Sequence, residues 1–296
     1  MKTRYSHSAR CLLLILALNV CAMASVQKIG QDLYAYISQN DASANSTFLV
    51  SDQGVLVVDT GLNVQEGRKL LEEIRKVSQA PVRWIVNTHY HPDHRGGNSV
   101  VGPDAVIISL YGTRLAVLHE REQQKIKTGH QPPPEYALNL VFRGEVRIYV
   151  GGREVVIYSA GQAHTMGDVV VYFPDDHAIA TGDLFLNGSC PAMDDGDVEN
   201  WIVALDHMLA LPVDNVVPGH FALATKKELS HFRAYLVALR DQVGRMYSQG
   251  FTLDEVKKSV SLKEFNDLRQ FPKYEATMAD NAAEYYRQLR SRNAPR

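Results

Sequence analysis

Apolar positions fall first into short runs at strand spacing and later into long stripes at helical spacing. Residues 26–36 read as one strand, carried by Leu33, Tyr34, Ala35 and Tyr36 and closed by a polar turn over residues 38–43. Ser46 to Val50 and Val55 to Val58 flank Asp52-Gln53-Gly54. Two apolar runs about a short Gly-containing turn predict a hairpin, and the unbroken second run predicts burial on both faces. Val64 to Val77 places Leu70, Leu71 and Ile74 at helical spacing with charges opposite. A strand over Val82 to Val86 follows, then a buried strand over Ala105 to Leu110 and a helix over Gly112 to Lys127. From Glu145 the runs shorten again: Val146 to Val150, a Gly151-Gly152 turn, Glu154 to Tyr158, Val169 to Phe173 and Ala178 to Ala180. Val198 to Leu209 is an amphipathic helix and Asn215 to Val217 a short buried strand. Beyond Thr225 the pattern is helical, over Leu229 to Ser248, Leu253 to Ser259 and Tyr274 to Leu289. Strands, helices, strands and helices in that order predict two similar halves, with a pair of sheets between helical layers.

One stretch breaks the pattern. Gln131-Pro132-Pro133-Pro134-Glu135-Tyr136 cannot be regular helix or central strand, so it is an extended loop. It is either a wall of a substrate cleft or a plain connector.

The N-terminus stands apart from the fold. Lys2, Arg4 and Arg10 precede an apolar stretch from Cys11 to Val20, and Ala22-Met23-Ala24 follows as a small-residue cleavage signature. Residues 1–24 are therefore read as a secretory signal peptide, too short in its apolar core for a comfortable membrane span. No later stretch approaches the length of a transmembrane helix, so the mature protein is expected to be soluble and exported, secreted or periplasmic. Cleavage removes three basic and no acidic residues from a chain whose formal net charge is already −2. That balance argues against nucleic acid as a partner; the expected partner is a small-molecule substrate. Cleavage also removes Cys11 and Cys21, leaving Cys190 alone and an intramolecular disulfide impossible. The rest divides into a main domain over residues 25–224 and a C-terminal helical extension over residues 225–296, packed on the same domain.

The chemistry concentrates in Thr88-His89-Tyr90-His91-Pro92-Asp93-His94, directly after the apolar run Trp84-Ile85-Val86. A strand ending there delivers His89, His91, Asp93 and His94 to the mouth of a sheet. Nitrogen and oxygen donors of this kind suit zinc, and alternate residues His89 and His91 can share one face while Asp93-His94 turn to a neighbouring site. Three later residues repeat the placement. His164 lies between two strands, Asp183 ends Ala178-Ile179-Ala180-Thr181-Gly182, and His220 follows Val216-Val217-Pro218-Gly219. His119, His130, His177, His207 and His231 lack a strand-end context and read as structural or solvated.

The His-x-His-x-Asp-His cluster, with His164, Gly182-Asp183 and Pro218-Gly219-His220, resembles the metallo-β-lactamase superfamily over most of the chain up to about Ala224. The resemblance implies a four-layer αβ/βα sandwich, an α/β fold here followed by the C-terminal helical segment. It also implies Zn2+, two per chain, at one edge of the sheets. By motif, His89, His91 and His164 would hold the first ion, Asp93, His94 and His220 the second, and Asp183 would bridge them. Asp59 matches a supporting position; Thr88 and Thr165 are further candidates to fix the histidine tautomers. In such a site a zinc-bound hydroxide attacks an electrophilic centre, with Asp93 orienting the nucleophile and assisting proton movement.

The bridging position narrows the substrate. Asp183 is unlike the Cys or Ser common in class B β-lactamases and more like the thioesterase branch that includes hydroxyacylglutathione hydrolase. Residues 226–296 nevertheless lack that thioesterase's ending. The expectation is an exported dinuclear zinc hydrolase acting on a small ester, thioester or lactam-like substrate. Its alternatives are a class B-like β-lactamase and a non-catalytic metal-binding accessory protein of a periplasmic oxidation system. Cys190 is expected to be a structural thiol rather than a zinc ligand. Asn187 and Tyr136 are weaker candidates for substrate contact. Substrate, native metal and oligomeric state are left open by the sequence.

Overall fold

The computed structural model describes residues 25–128, 138–268 and 274–293. Residues 1–24, read above as a signal peptide, the proline segment 131–136 and His130 lie outside the described residues. Sheet one runs in the order β1 Ser25–Lys28, β2 Leu33–Ile37, β3 Ser46–Ser51, β4 Gly54–Val58, β5 Val82–Val86, β6 Val106–Leu110 and β7 Leu140–Phe142. It is antiparallel from β1 to β4 and parallel from β4 to β7. Between its strands the chain forms α1 Val64–Val77, two one-turn helices α2 Pro92–Arg95 and α3 Asn98–Val101, and α4 Tyr111–Thr128. Sheet two contains β8 Glu145–Val150, β9 Arg153–Gly161, β10 Asp168–Phe173, β11 Ala178–Ala180 and β12 Asn215–Val217, paired in the order β12-β11-β10-β9-β8. Helix α5 Val198–Ala210 precedes β12, and α6 Lys226–Ser248, α7 Leu253–Ser259 and α8 Tyr274–Arg292 follow it.

The four layers follow from side-chain alternation along each strand. Leu56, Val58, Val86 and Ile108 of sheet one meet Val169, Val171, Ala178 and Val217 of sheet two in a core between the sheets. Their neighbours point the other way. Val55, Val57, Ile85 and Ile107 pack against Leu70 and Ile74 of α1 and Val117 of α4. On the far side Val170, Ile179 and Val216 pack under α5 to α8, where Trp201, Phe232 and Tyr235 are completely buried. Burial on both faces is why the central runs are continuously apolar rather than alternating.

Helix starts follow from caps. Asn63 accepts hydrogen bonds from the backbone of Gln65 and Glu66, and Thr225 with Glu228 and Thr252 with Glu255 form reciprocal capping boxes. One expectation needs correction, and two features go beyond the expected pattern. The single strand over 26–36 is two antiparallel strands, because Asp32 takes a left-handed φ of 54° and reverses the chain. The short helices α2 and α3 occupy the stretch after the histidine cluster, and β7 adds an edge strand. Both were absent from the sequence pattern.

Candidate metal centre

The parallel strands β4 and β5 of sheet one and β11 and β12 of sheet two release the chain at one edge of the sandwich. Backbone hydrogen bonds from Asn45 N to Gly219 O and from Val169 N to Thr88 O stitch the two halves there, while Ala44 N to Asp93 O ties the loop before β3 to α2 within the first half. Asp59, just past β4, sits at φ 56°, a left-handed conformation that a short polar residue tolerates better than most. Its Oδ1 accepts from Thr88 N at 2.9 Å and its Oδ2 from Thr88 Oγ1 at 2.7 Å. The same Oδ2 lies 2.7 Å from His94 Nδ1, and Thr88 Oγ1 lies 3.0 Å from His89 Nδ1. With its proton given to Asp59, the Thr88 hydroxyl accepts from His89 Nδ1–H, while Asp59 accepts from His94 Nδ1–H. Both rings therefore turn Nε2 into the site. His220 is fixed similarly, its Nδ1 2.9 Å from the Asp41 carbonyl.

All of the ligand residues named from the sequence converge. His89, His91, His164 and Asp183 form one group able to hold a metal ion, and Asp93, His94, Asp183 and His220 form a second. In the first, His89 Nε2 and His91 Nδ1 are 3.0 Å apart, His91 Nδ1 and His164 Nε2 3.2 Å, and His164 Nε2 and Asp183 Oδ2 3.6 Å. In the second, His220 Nε2 lies 3.1 Å from Asp93 Oδ2 and 3.5 Å from Asp183 Oδ1. His94 Nε2 lies 3.5 Å from Asp93 Oδ2 and 3.1 Å from Asp183 Oδ1. A tetrahedron with metal–ligand distances of about 2.0–2.1 Å has edges of about 3.3 Å, so both groups fit zinc. Although close, His94 Nε2 and Asp183 Oδ1 are buried without a well-formed hydrogen bond, two polar atoms that a cation between them would satisfy.

The electrostatics differ between the groups. Burial pushes His89 well below its ordinary range and His164 down to about 4, so both are neutral lone-pair donors. Burial would also lower His94, but Asp183, Asp59 and Asp93 overcome it and raise it well above 6.5. Three carboxylates thus converge on His94, and that half of the site favours a positive charge. Burial alone would raise Asp183, yet His94 and His220 hold it well below the usual carboxylate range.

Other candidates fall elsewhere. Thr165 turns away from the histidines and bonds Asp168, backbone N to Oδ2 at 2.7 Å and Oγ1 to Oδ1 at 2.5 Å, while burial lifts that carboxyl to about 7. Asn187 donates to the Ala222 carbonyl at 3.0 Å and belongs to neither donor group. Cys190 is buried in the helix-covered core with its thiol raised to about 11 by burial, and belongs to neither donor group. Tyr136 lies outside the described residues. His119, His177, His207 and His231 belong to neither donor group.

Sequence reasoning missed Tyr90 and Asp195. The Tyr90 hydroxyl donates to Asp195 Oδ2, which lies 3.7 Å from His91 Nε2. Asp194-Asp195-Gly196 carries only a turn signature in the sequence, with nothing to connect it to His91.

Comparison with known proteins adds family to geometry. A family model described as the metallo-beta-lactamase superfamily matches residues 40–220. The chain is 25% identical over 257 residues to a linear primary-alkylsulfatase of a Pseudomonas species, covering 71% of this chain and 48% of that protein. It is 26% identical over 168 residues to a metallo-beta-lactamase type 2 of Elizabethkingia meningoseptica, covering 55% of this chain and 63% of that one. The chain thus spans about half to two thirds of these relatives. Among solved structures, a stereoselective inverting sec-alkylsulfatase from Pseudomonas superposes with a TM-score of 0.73 at 17% identity, over 90% of this chain and 50% of that one. That likeness concerns the fold.

Proposed function

We propose that this chain, which belongs to the metallo-beta-lactamase superfamily, is an exported dinuclear zinc hydrolase acting on a small ester, thioester or lactam-like substrate. Asp183 carries the reading. Its Oδ1 faces His94 and His220 and its Oδ2 faces His164, so one carboxylate closes both donor groups. His89, His91 and His164 would hold one ion, Asp93, His94 and His220 the other, with Asp183 shared. Bound zinc supplies Lewis acidity, stabilising negative charge on a substrate oxygen and lowering the pKa of water from 15.7 towards about 7.

The protein's own residues orient and protect this chemistry. The Asp93 side chain is 23% exposed against 11% for Asp183, so it is the carboxylate that meets an entering substrate. Burial works against its charge, but His94 and His220 lower its pKa, leaving an anion that can orient a nucleophile and accept a proton. Asp59 and Thr88 hold His89 and His94 in the tautomer that presents Nε2. Trp201, fully buried and bonded through Nε1 to the Leu184 carbonyl, places its ring 5.3 Å from that of His164 and keeps water from behind it.

A sulfate ester is the second substrate reading, favoured by the similarity to an alkylsulfatase. Export is supported by the basic and apolar composition of residues 1–24. Among the described residues no helix is long and apolar enough to cross a membrane. The decisive experiment measures metal content and turnover together. Purified protein should contain about two zinc ions per chain and hydrolyse at least one of nitrocefin, a thioester, a lactone or an alkyl sulfate. Asp93→Ala should remove turnover while keeping the fold. A single ion would sink the shared-carboxylate reading, and a two-zinc protein inert to all four classes would move the assignment to a metal-binding accessory role. Secretion in a two-membrane bacterium should yield a mature N-terminus at Ser25.

A further inference from the structure

A groove of about 710 Å³ opens beside the first donor group, with Tyr90, Leu115, Met166, Asp194, Asp195 and Glu284 among its walls. Its volume is that of a small-molecule site. Its walls reach the donors through Tyr90 and Asp195: Asp195 Oδ2 is 3.7 Å from His91 Nε2, and the Tyr90 and His91 rings are 4.6 Å apart. On one side Leu115 and Met166 leave 42% and 50% of their surface exposed, apolar area that a chain-like substrate would cover. The lining also carries Glu120, Asp194, Asp195 and Glu284 against one histidine, His119, and among the described residues no lysine or arginine lines it. Two of its acids are already neutralised, Glu120 by Arg95 at 2.6 Å and Glu284 by Arg287 at 2.7 Å. Asp194 and Asp195 are exposed and set the residual charge of the wall.

We propose that this groove seats the non-reacting arm of the substrate, and that it selects an apolar arm ending in a neutral or cationic group over one ending in a carboxylate. The assignment rests on the hydrolase reading for its chemistry. The reacting ester, thioester or sulfate head lies at the donor groups, where negative charge is favoured once cations are bound, while the far end of the arm meets Asp194 and Asp195. An arm bearing a carboxylate would bring like charge to a wall whose described acids outnumber its one basic side chain, His119. Leu115 and Met166 are the residues that hold the methylene portion.

The test uses the zinc-loaded protein and a matched series of p-nitrophenyl octanoates whose far carbon ends in methyl, trimethylammonium or carboxylate. The methyl- and trimethylammonium-ended esters should exceed the carboxylate-ended one in kcat/KM by on the order of tenfold. Asp194→Lys should shrink or invert the preference of trimethylammonium over carboxylate, and Leu115→Asp should lower kcat/KM for the methyl-ended ester. A readout without turnover is calorimetric binding of octyltrimethylammonium, expected to weaken severalfold in Asp194→Lys. Equal or better hydrolysis of the carboxylate-ended ester, or equal binding of the ammonium by both proteins, overturns the groove assignment. Intact ammonium binding, weakened by Asp194→Lys, with no hydrolysis anywhere in the series overturns the hydrolase reading and leaves the groove assignment standing.

Discussion

Asp59 belongs to neither donor group, yet its oxygens set the rotation of two rings that do. Asp59→Asn keeps the shape but places an amide where His94 Nδ1–H and the Thr88 hydroxyl both need an acceptor. Zinc affinity should fall by about 10–100-fold, the usual cost of losing such a partner, measured by competition with a chromophoric chelator. Unchanged affinity would remove Asp59 from the tautomer argument. Cys190 is predicted from the opposite circumstance, isolation. A thiol raised from 9.0 to about 11 carries roughly 100-fold less thiolate at pH 8 than an ordinary cysteine, and burial blocks the reagent as well. Labelling of the mature, folded protein by a disulfide reagent at pH 8 should therefore be negligible, and rapid once denatured; fast native labelling would contradict its buried position. The legibility of single residues divides along the same line. His89, His91, Asp93 and His94 were readable because short spacing after a strand fixes where side chains can go. Thr165 was expected among the residues that fix the histidine tautomers but bonds Asp168 instead, a partner that its place in the sequence does not announce. Asp195 was unreadable because it reaches Tyr90 across a sequence separation of 105.

The ends of strands β11 and β12 depend on two close approaches that only glycine allows. Gly182 takes φ +51°, and a Cβ there would collide with Thr88 Oγ1; a Cβ on Gly219 would collide with Asp183 Oδ1. Gly219→Ala should therefore act on both stability and the site, lowering stability by about 1–3 kcal/mol, the range for overpacking, and displacing the shared carboxylate. Denaturant unfolding and zinc stoichiometry measured on one preparation would check this. Wild-type stoichiometry in Gly219→Ala would show that the loop can yield without moving Asp183. The central strands and long helices were legible from periodicity, because burial on two faces or one stripe leaves a repeating signature. The reversal at Asp32 was not, since a non-glycine residue at positive φ announces nothing in an otherwise apolar run. Helices α2 and α3 are one turn each, too short for a 3.6-residue repeat to show.

Across the whole molecule, the donor groups are drawn from both sheets. His89, His91, Asp93 and His94 follow β5 of sheet one, whereas His164, Asp183 and His220 come from the strand ends of sheet two. Each half also has its own helix-covered outer core, so the halves meet through the inter-sheet core and the stitched edge at the site. An ion held by donors from both sheets is then a cross-link between halves, and its binding energy adds to their association. At a free zinc concentration 1,000-fold above Kd this linkage is worth about 4.1 kcal/mol per site. Chelation should lower the melting temperature, but uniform loosening is not what this arrangement predicts. The amides of Asn45 and Val169, whose hydrogen bonds cross the seam to Gly219 and Thr88, should lose hydrogen-exchange protection first. Those within the β9–β10 pairing, such as Val171 opposite Ile157, should keep theirs until global unfolding. Peptide-level exchange with and without zinc separates the cases. Equal loss of protection throughout would mean that the ions stabilise each half locally and that the inter-sheet core alone joins them.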